Sequence, residues 1–392
     1  MVMKTSVERG ALCALIKSRL RDAPVVALIG PRQCGKTTLA RDIAQRRRVT
    51  YFDLEDPVAA QRLAQPGTAL AGLNGLVVID EVQRRPELFP VLRVLADAPR
   101  KGRRFLILGS ASPELLRQGS ETLAGRIAFV EMAGFDLGEL GAAALHRLWW
   151  RGRFPRSYLA RSAAASETWR HEFIATFLER DVALLGLRIP APVLRRLWMM
   201  LAHSHGQIWN ASEISRSLGE AHTTVKRHLD ALSGALVVRQ LQPWFENLGK
   251  RQVKAPKVYV RDSGLLHALL GIDSPAALDA HPKVGASWEG FVLEELIGLA
   301  GERNAYYWRT QAGAELDLLL LLRGRRIGVE VKYADAPAMT RSMHSAIESL
   351  GLDRLYVVYP GNDPYALRPG VEVVSLPLAR ERILAALGQK RR

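Results

Sequence analysis

The chain has 392 residues, and 55 lysines and arginines against 39 aspartates and glutamates give it a formal net charge of +16. This length predicts more than one domain, and the presence of only two cysteines excludes a disulphide framework. No stretch approaches the ~18 apolar residues of a membrane span, so we expect no membrane partner and a cytoplasmic location. The basic excess favours polyanionic partners, nucleic acid above all, although a genome-wide preference for arginine would produce it too.

A glycine-rich loop follows the apolar run at residues 25–29, which reads as a buried strand. Gly30 and Gly35 let the backbone direct N–H groups at phosphate oxygens, and a helix beginning near Lys36 adds its positive end. Lys36 is expected to reach the β- and γ-phosphates, and Thr37 to ligate Mg²⁺. The pattern predicts a P-loop whose nucleotide-binding residues are Gly30, Pro31, Arg32, Gln33, Cys34, Gly35, Lys36, Thr37 and Thr38.

A second apolar run, residues 75–81, ends in two acids. Asp80 stands at the carboxyl end of the predicted strand, where it would hold Mg²⁺ directly or through water. Glu81 is placed to polarise the attacking water as a general base. The chain has no Asn-Lys-x-Asp motif for reading guanine, so the acidic pair favours a hydrolysing ATPase with ATP and Mg²⁺ as cofactors. The alternative is a strand that simply ends in solvated acids.

A third strand, residues 104–109, runs into two serines. The motifs up to this point resemble those of AAA+-type ATPases, in which the strand beside the Asp-Glu strand ends in a polar residue that helps to position the water. Ser110 is the candidate for that role and Ser112 is the reserve. Ser112 also precedes Pro113, which suits a helix N-cap.

Two arginines are candidates for a trans-acting finger, Arg126 and Arg180. Such a residue adds fixed positive charge as charge spreads over the γ-phosphate oxygens. Because it acts on the nucleotide of a neighbouring subunit, we expect a homo-oligomer. The alternative for each arginine is an ion pair with a nearby carboxylate. That alternative is the stronger one for Arg180, which stands between Glu179 and Asp181.

Residues 207–262 follow the pattern of a winged helix-turn-helix. Asn210 begins the first helix, Gly219 makes the turn, and the second helix starts at His222. Residues 237–241 and 257–260 are expected to form the wing strands. Winged helices also serve as protein-docking modules, which leaves two interpretations open.

The second of these helices buries apolar side chains at helical spacing and directs polar ones outward. We expect Thr223, Thr224, Lys226, Arg227 and His228 on its outer face. The candidate DNA contacts, in the groove or on phosphates, are Thr223, Thr224, Lys226 and Arg227 on the helix and Lys250 and Arg251 at the wing tip.

The last hundred residues contain a pattern of acids and a lysine on two predicted strands joined by a hairpin at residues 323–325. A spacing of two places each pair on one face of its strand. Carboxylates that share Mg²⁺ beside a lysine resemble the site of the PD-(D/E)XK nuclease superfamily. The predicted nuclease-like residues are Glu289, with Glu294 as an alternative, and Glu315, Asp317, Glu330 and Lys332. A surface salt bridge is the other interpretation of Glu330 and Lys332.

The whole chain resembles a family of AAA+ ATPases of bacteria and archaea that carry a C-terminal domain of unassigned function. The resemblance rests on GPRQCGKTT, VVIDEVQ, LILGSAS and ETLAGR, followed in order by FLERDVALL, YVRDSGLLHALLGI, WEGFVLEELI and AELDLLLL with GVEVKYA. It implies ATP binding and hydrolysis, whereas the cellular role of the family is mostly unassigned.

These observations predict an α/β protein with three parts. They are a P-loop AAA+-like parallel-sheet ATPase domain (1–145), which starts with an amphipathic helix in residues 1–20 and closes at residues 135–140, a helical and winged-helix domain (146–285), and an α/β nuclease-like domain (286–392). The expected function is that of an ATPase that hydrolyses ATP and acts on or binds nucleic acid, with DNA as the expected partner. The alternatives are a regulatory nucleotide switch that docks protein partners and an ATP-dependent nuclease.

Overall fold

Five parallel strands follow the glycine-rich and acidic motifs in the computed structural model, which describes residues 7–45, 49–98, 102–110, 119, 121–184, 189–245 and 255–388. The sheet order is β2-β3-β4-β1-β5, so β4 separates the P-loop strand from the strand that leads into the two acids. The strands are β1 Val25–Gly30, β2 Val49–Asp53, β3 Leu76–Asp80, β4 Arg104–Ser110 and β5 Ile127–Glu131.

Apolar side chains fill both faces of this sheet, as parallel strands covered by helices require. Val25 and Ala27 point into one core, whereas Val26 and Leu28 point into another. The helical segments that accompany the strands are Gly10–Asp22, Lys36–Ala44, Pro57–Arg62, Pro66–Ala71, the 3₁₀ turn Val82–Arg84 and Leu88–Asp97.

A helical region connects the first sheet to a small second one. Its segments are Leu137–Leu140, the 3₁₀ turn Ala142–Ala144, Leu145–Arg151, Pro155–Tyr158, Ala163–Thr176, a turn of π-helix at Phe177–Asp181, and Val182–Leu184. Phe135 and Leu137 were expected to close the ATPase domain, but they pack in one core with Trp149 and with Trp288 of the C-terminal part. The boundary near residue 145 stays a prediction.

Three helices and a three-stranded antiparallel sheet, in the order β6-β8-β7, form the predicted winged helix. The segments are Ala191–His203, β6 Gln207–Ile208, Ala211–Leu218, His222–Gly234, β7 Val238–Leu241 and β8 Lys257–Val260, followed by helices Ser263–Leu269 and Pro275–Asp279. The expected helices and wing strands are confirmed. The outward direction of His228 is wrong, because it lies on the apolar face beside Leu229 and Leu232 and is 4% exposed.

A mixed six-stranded sheet in the order β13-β14-β12-β11-β10-β9 forms the C-terminal part. Its segments are helix Val284–Ala300, the 3₁₀ turn Glu302–Asn304, β9 Ala305–Arg309, β10 Glu315–Leu322, β11 Arg325–Val331, helix Arg341–Leu350, β12 Arg354–Tyr359, β13 Tyr365–Arg368, β14 Val371–Ser375 and helix Leu376–Ala386. The predicted hairpin is confirmed, with Arg323 (φ +50°) and Gly324 (φ +79°) in the left-handed region that two-residue hairpin loops favour. The α/β fold class expected from the sequence is therefore confirmed.

Candidate nucleotide site and C-terminal carboxylate cluster

The glycine-rich loop lies between β1 and helix Lys36–Ala44 and requires glycine at two positions. A Cβ on Gly30 would lie 2.2 Å from the carbonyl oxygen of Met132. Gly35 has φ +101°, which side chains disfavour. Backbone crowding at Gly30 and a left-handed turn at Gly35 therefore produce the curl that points N–H groups at an anion.

Lys36 is folded back over its own loop. Its ammonium donates to the carbonyl oxygens of Gly30 at 3.0 Å and Pro31 at 2.8 Å, and the residue is 5% exposed. Both partners are neutral carbonyls, whereas a phosphate would offer charge-assisted hydrogen bonds, which are stronger. The lysine is therefore in reach of a ligand bound over the loop.

The next residue, Thr37, joins the loop to the acidic strand. Its hydroxyl donates to Oδ2 of Asp80 at 2.7 Å, and the hydroxyl of Tyr51 on β2 donates to the same oxygen at 2.6 Å. The backbone N–H of Glu81 donates to the other carboxylate oxygen at 2.9 Å. A hydroxyl and a carboxylate at this separation are the oxygen ligands that Mg²⁺ takes beside a nucleotide, so the residues present fit that ion. Tyr51 was missed in the sequence, because nothing local marks it.

Glu81 adopts φ +56°, which is uncommon for a residue with a side chain, and such outliers cluster at functional sites. Burial raises the pKa of its carboxyl, and the nearby charges of Lys36 and Arg32 oppose that rise. The amide of Gln83 donates to the carboxylate. Glu81, just after β3, is therefore suited to act as a general base, because its pKa is closer to neutral pH than the pKa of an exposed glutamate.

Ser110 is the last residue of β4 and pairs in register with Gly30 at the start of the loop. Its hydroxyl is buried and has no hydrogen-bond partner within the described part of the chain. It is therefore available to a ligand or a water at the loop. Ser112 lies outside the described residues.

An arginine–carboxylate contact ties the loop to the helical region. Arg32 donates to Asp181 at 2.8 Å, and Asp181 ends the π-helical turn. Burial raises the pKa of Asp181, and the charge of Arg32 opposes the rise. The carboxylate next to Arg180 is thus engaged by the loop, while Arg180 itself is exposed beside it. Turns of π-helix occur frequently at functional sites.

Arg126 occupies the opposite end of the sheet. Its carbonyl accepts from the N–H of Val25, the first residue of β1, and its side chain pairs with Asp97 at 2.5 Å. Six strand residues separate that end from the loop, about 20 Å at 3.3 Å per residue. The ion pair offered as the alternative is therefore formed, and a role on a neighbouring subunit stays a prediction.

The predicted DNA-contacting face of helix His222–Gly234 exposes Thr223, Lys226 and Arg227, with Thr224 half-buried. Asp230 is also exposed on this helix, so the face is not uniformly basic. Lys250 and Arg251 lie outside the described residues. The DNA contacts stay a prediction.

The C-terminal part brings four acids together, and we call Glu289, Glu315, Asp317 and Glu330 the carboxylate cluster. Asp317 accepts from the N–H of Val331 at 2.9 Å across the hairpin, and Lys332 pairs with Glu330 at 2.7 Å. Burial raises the pKa of Glu289 to about 7 and that of Glu330 to about 8, and the charge of Asp317 adds to both shifts.

A lysine that the sequence did not indicate lies among these acids. Lys257, the first residue of β8, pairs with Glu289 at 3.3 Å, Asp317 at 3.6 Å and, more closely, Glu315. Burial would lower the pKa of Lys257, but Tyr259 and the three carboxylates outweigh burial and hold it well above its ordinary value.

Glu294 does not belong to this cluster. Arg239 and Arg261 both pair with it, and although burial would raise its pKa, the two guanidinium groups lower it to about 2. The same Arg261 donates to Glu131 at the end of β5 at 2.6 Å. Glu289 is therefore the acid that the helix contributes to the cluster.

The described ranges contain neither a ready-made metal cluster nor a membrane-spanning helix. Within them, no group of three or more histidine, cysteine, aspartate or glutamate residues is arranged to hold a metal ion. None of the helices in those ranges is long and apolar enough to cross a membrane.

Three family models match the chain in succession. They are an AAA domain over residues 22–141, a domain of unknown function (DUF8612) over 142–276, and a domain of unknown function (DUF4143) over 284–379. The uncharacterized protein Rv2008c of Mycobacterium tuberculosis is 55% identical over 368 residues, which are 94% of this chain and 83% of that protein. The uncharacterized protein Mb2031c of Mycobacterium bovis matches to the same extent. The chain belongs to this family of AAA+ ATPases with a C-terminal domain of unassigned function.

Solved structures are similar at lower identity. The Walker-type ATPase PABY2304 of Pyrococcus abyssi is 16% identical, with 68% of this chain and 97% of that chain covered and a TM-score of 0.46. A point mutant of RuvB from Thermotoga maritima is 17% identical, with 59% of this chain and 87% of that chain covered and a TM-score of 0.28. Scores of this size carry no argument about function.

Proposed function

We propose that this protein is a Mg²⁺-dependent ATPase that hydrolyses ATP and binds DNA through its winged helix, as a homo-oligomer. The observation that carries the ATPase proposal is the Thr37–Asp80 hydrogen bond of 2.7 Å, which joins the P-loop to the acidic strand. Loop N–H groups and Lys36 would bind the phosphates, and Thr37 and Asp80 would hold Mg²⁺. The ion, when bound, neutralises phosphate charge.

Glu81 and Ser110 supply the remaining chemistry. Glu81 would accept a proton from the attacking water, and its raised pKa favours that transfer near neutral pH. Ser110, whose buried hydroxyl has no partner in the part of the chain that the structure describes, would orient that water.

DNA binding rests on charge and on the exposed face of helix His222–Gly234. A net charge of +16 raises the local concentration of the protein near polyanions. Thr223, Lys226 and Arg227 are exposed on one helix of the motif that enters DNA grooves in other proteins.

The experiment that tests the proposal is ATP hydrolysis with and without single-stranded, duplex and branched DNA. We expect hydrolysis in Mg²⁺ and its stimulation by at least one DNA, with Lys36→Ala as the inactive control. Hydrolysis that no DNA alters, together with no DNA binding at low salt, would contradict the DNA part alone.

Arg180 is the proposed trans-acting arginine, because it is exposed beside the Asp181–Arg32 contact at the loop. Arg180→Ala should lower hydrolysis strongly while the ATP affinity is retained. In a mixture, Lys36→Ala subunits still carry Arg180 and should restore activity to Arg180→Ala subunits. Arg126→Ala is the comparison variant for the other candidate, and loss of hydrolysis there instead would transfer the role to Arg126. A fully active monomer would remove the role for both arginines.

A regulatory switch that docks protein partners is the second candidate, and one observation favours it. Arg32 of the loop pairs with Asp181, and Arg261 joins Glu131 of β5 to Glu294 of helix Val284–Ala300. A nucleotide that moves the loop would thus act directly on the helical region. Two results together would favour this candidate over the DNA-binding one. They are ATP binding on which DNA has no effect, and capture of a partner protein in the ATP-bound state only.

A further inference from the structure

The ammonium of Lys257 lies where the carboxylate cluster converges. It is within ion-pair distance of Glu289, Glu315 and Asp317, and its side chain is 3% exposed. Lys257 belongs to the winged-helix sheet, whereas the acids belong to helix Val284–Ala300 and β10. The contact therefore joins two separate parts of the chain through a single buried cation.

This occupant conflicts with the metal that a nuclease-like fold implies. A divalent cation needs several oxygen ligands at about 2.0–2.6 Å, and a fixed ammonium in the same space would repel it. In keeping with this conflict, the described residues contain no group of three or more acids, histidines or cysteines arranged to hold a metal. The residues present do not fit a divalent cation while Lys257 remains among them.

We propose that Lys257 replaces the divalent cation of this nuclease-like site, so that the carboxylate cluster fastens the winged-helix sheet to the C-terminal sheet and does not cleave phosphodiesters. The tyrosine two residues further along β8 completes the contact. The Tyr259 hydroxyl donates to Glu289 at 2.6 Å. The face of β8 that carries Lys257 and Tyr259 is thus bound to the acids at two points.

A consequence is that the cluster retains unused capacity for a cation. Glu330 is 5% exposed, and its Oε2 atom has no hydrogen-bond partner within the described ranges, while Oε1 is engaged by Lys332. Removal of the Lys257 ammonium would take their shared cation from Glu289, Glu315 and Asp317, although Glu315 would keep its pair with Arg309 at 3.1 Å. Buried charges without a partner are costly, so a divalent cation would be drawn into the vacated space.

The test is Mn²⁺ binding to the full chain without nucleotide, measured by electron paramagnetic resonance of the free ion. Wild type and Asp317→Ala should bind equally, because the cluster holds no metal in either. Lys257→Met should gain one Mn²⁺ per chain, and Lys257→Met with Asp317→Ala should lose it. Lys257→Arg keeps the positive charge and should gain none, and Lys17→Met is the control at an unrelated lysine.

Two results would overturn the proposal. One is Mn²⁺ binding by wild type that Asp317→Ala abolishes, because the metal would then share the cluster with Lys257. The other is a folded Lys257→Met that gains no Mn²⁺. Should Lys257→Met fail to fold, Lys257→Gln replaces it, and the wild-type comparison with Asp317→Ala remains decisive by itself. These readouts do not depend on ATP hydrolysis, so failure here leaves the ATPase proposal standing.

Discussion

The P-loop site and the carboxylate cluster each place a lysine near acidic residues, but the two lysines have different partners. Lys36 donates to two neutral carbonyl oxygens of its own loop, whereas Lys257 pairs with three carboxylates from other elements. Exchanging a carbonyl for a phosphate strengthens the hydrogen bonds of a lysine, while separating it from buried carboxylates leaves charges uncompensated. The first lysine is therefore suited to bind a ligand, and the second to hold the fold together.

We expect the largest effect for Lys36→Ala, which should lose tight ATP binding. The substitution removes the ammonium that would reach the β- and γ-phosphates. Titration with a fluorescent ATP analogue measures it. Lys257→Met should bind ATP as wild type does, and equal loss in both variants would mean that the two lysines do not differ in role.

The next largest effect is expected at the acid of the nucleotide site. Glu81→Gln should retain ATP binding and lower kcat by about 10²–10⁴, the usual contribution of a general base. Because burial raises the pKa of Glu81, wild-type hydrolysis should be lost on acidification at a higher pH than it would be with an ordinary glutamate. Steady-state rates over a pH series check both statements. Hydrolysis by Glu81→Gln near the wild-type rate would show that another group activates the water.

A smaller effect is expected at the winged helix. Lys226→Ala with Arg227→Ala should weaken binding to duplex DNA of any sequence and flatten the log–log salt dependence by about 0.9 for each phosphate that is no longer neutralised. Fluorescence anisotropy at several salt concentrations measures the slope. Lys17→Ala with Arg21→Ala on helix Gly10–Asp22 is the control. An unchanged slope in the winged-helix variant would indicate a protein-docking surface.

The smallest effect is expected in the carboxylate cluster, from the titration of Glu330. The pKa of Glu330 rises from 4.5 to about 8 in the folded chain, so the folded state binds this proton more tightly than the unfolded state. The contribution of Glu330 to the free energy of unfolding is complete below pH 4.5. It is lost as the pH rises toward 8, by at most about 1.4 kcal/mol per pH unit. In Glu330→Gln the stability should fall less steeply with rising pH, as measured by thermal unfolding from pH 5 to 9. An equally steep fall in the variant would place the titrating group elsewhere.

Local patterns were sufficient for much of this fold. The strand before Gly30, the wing strands and the hairpin at Arg323 and Gly324 were predicted because apolar periodicity and turn residues act over a few neighbouring positions. The prediction that His228 points outward was wrong because it followed the polarity of the residue and not the helical spacing. Its position is three residues from Val225 and four from Leu232, which places it on the buried face of the helix despite its polar ring.

Contacts between distant parts of the chain were decided by the tertiary structure. Lys257 and Asp317, or Arg32 and Asp181, are far apart in sequence, and no periodicity links them. The amino-acid sequence by itself determined the P-loop, the acidic strand and the family, because phosphate binding requires particular residues at fixed local spacing. Only packing decided which cation lies among the C-terminal acids, because a buried charge selects its partner by position in space.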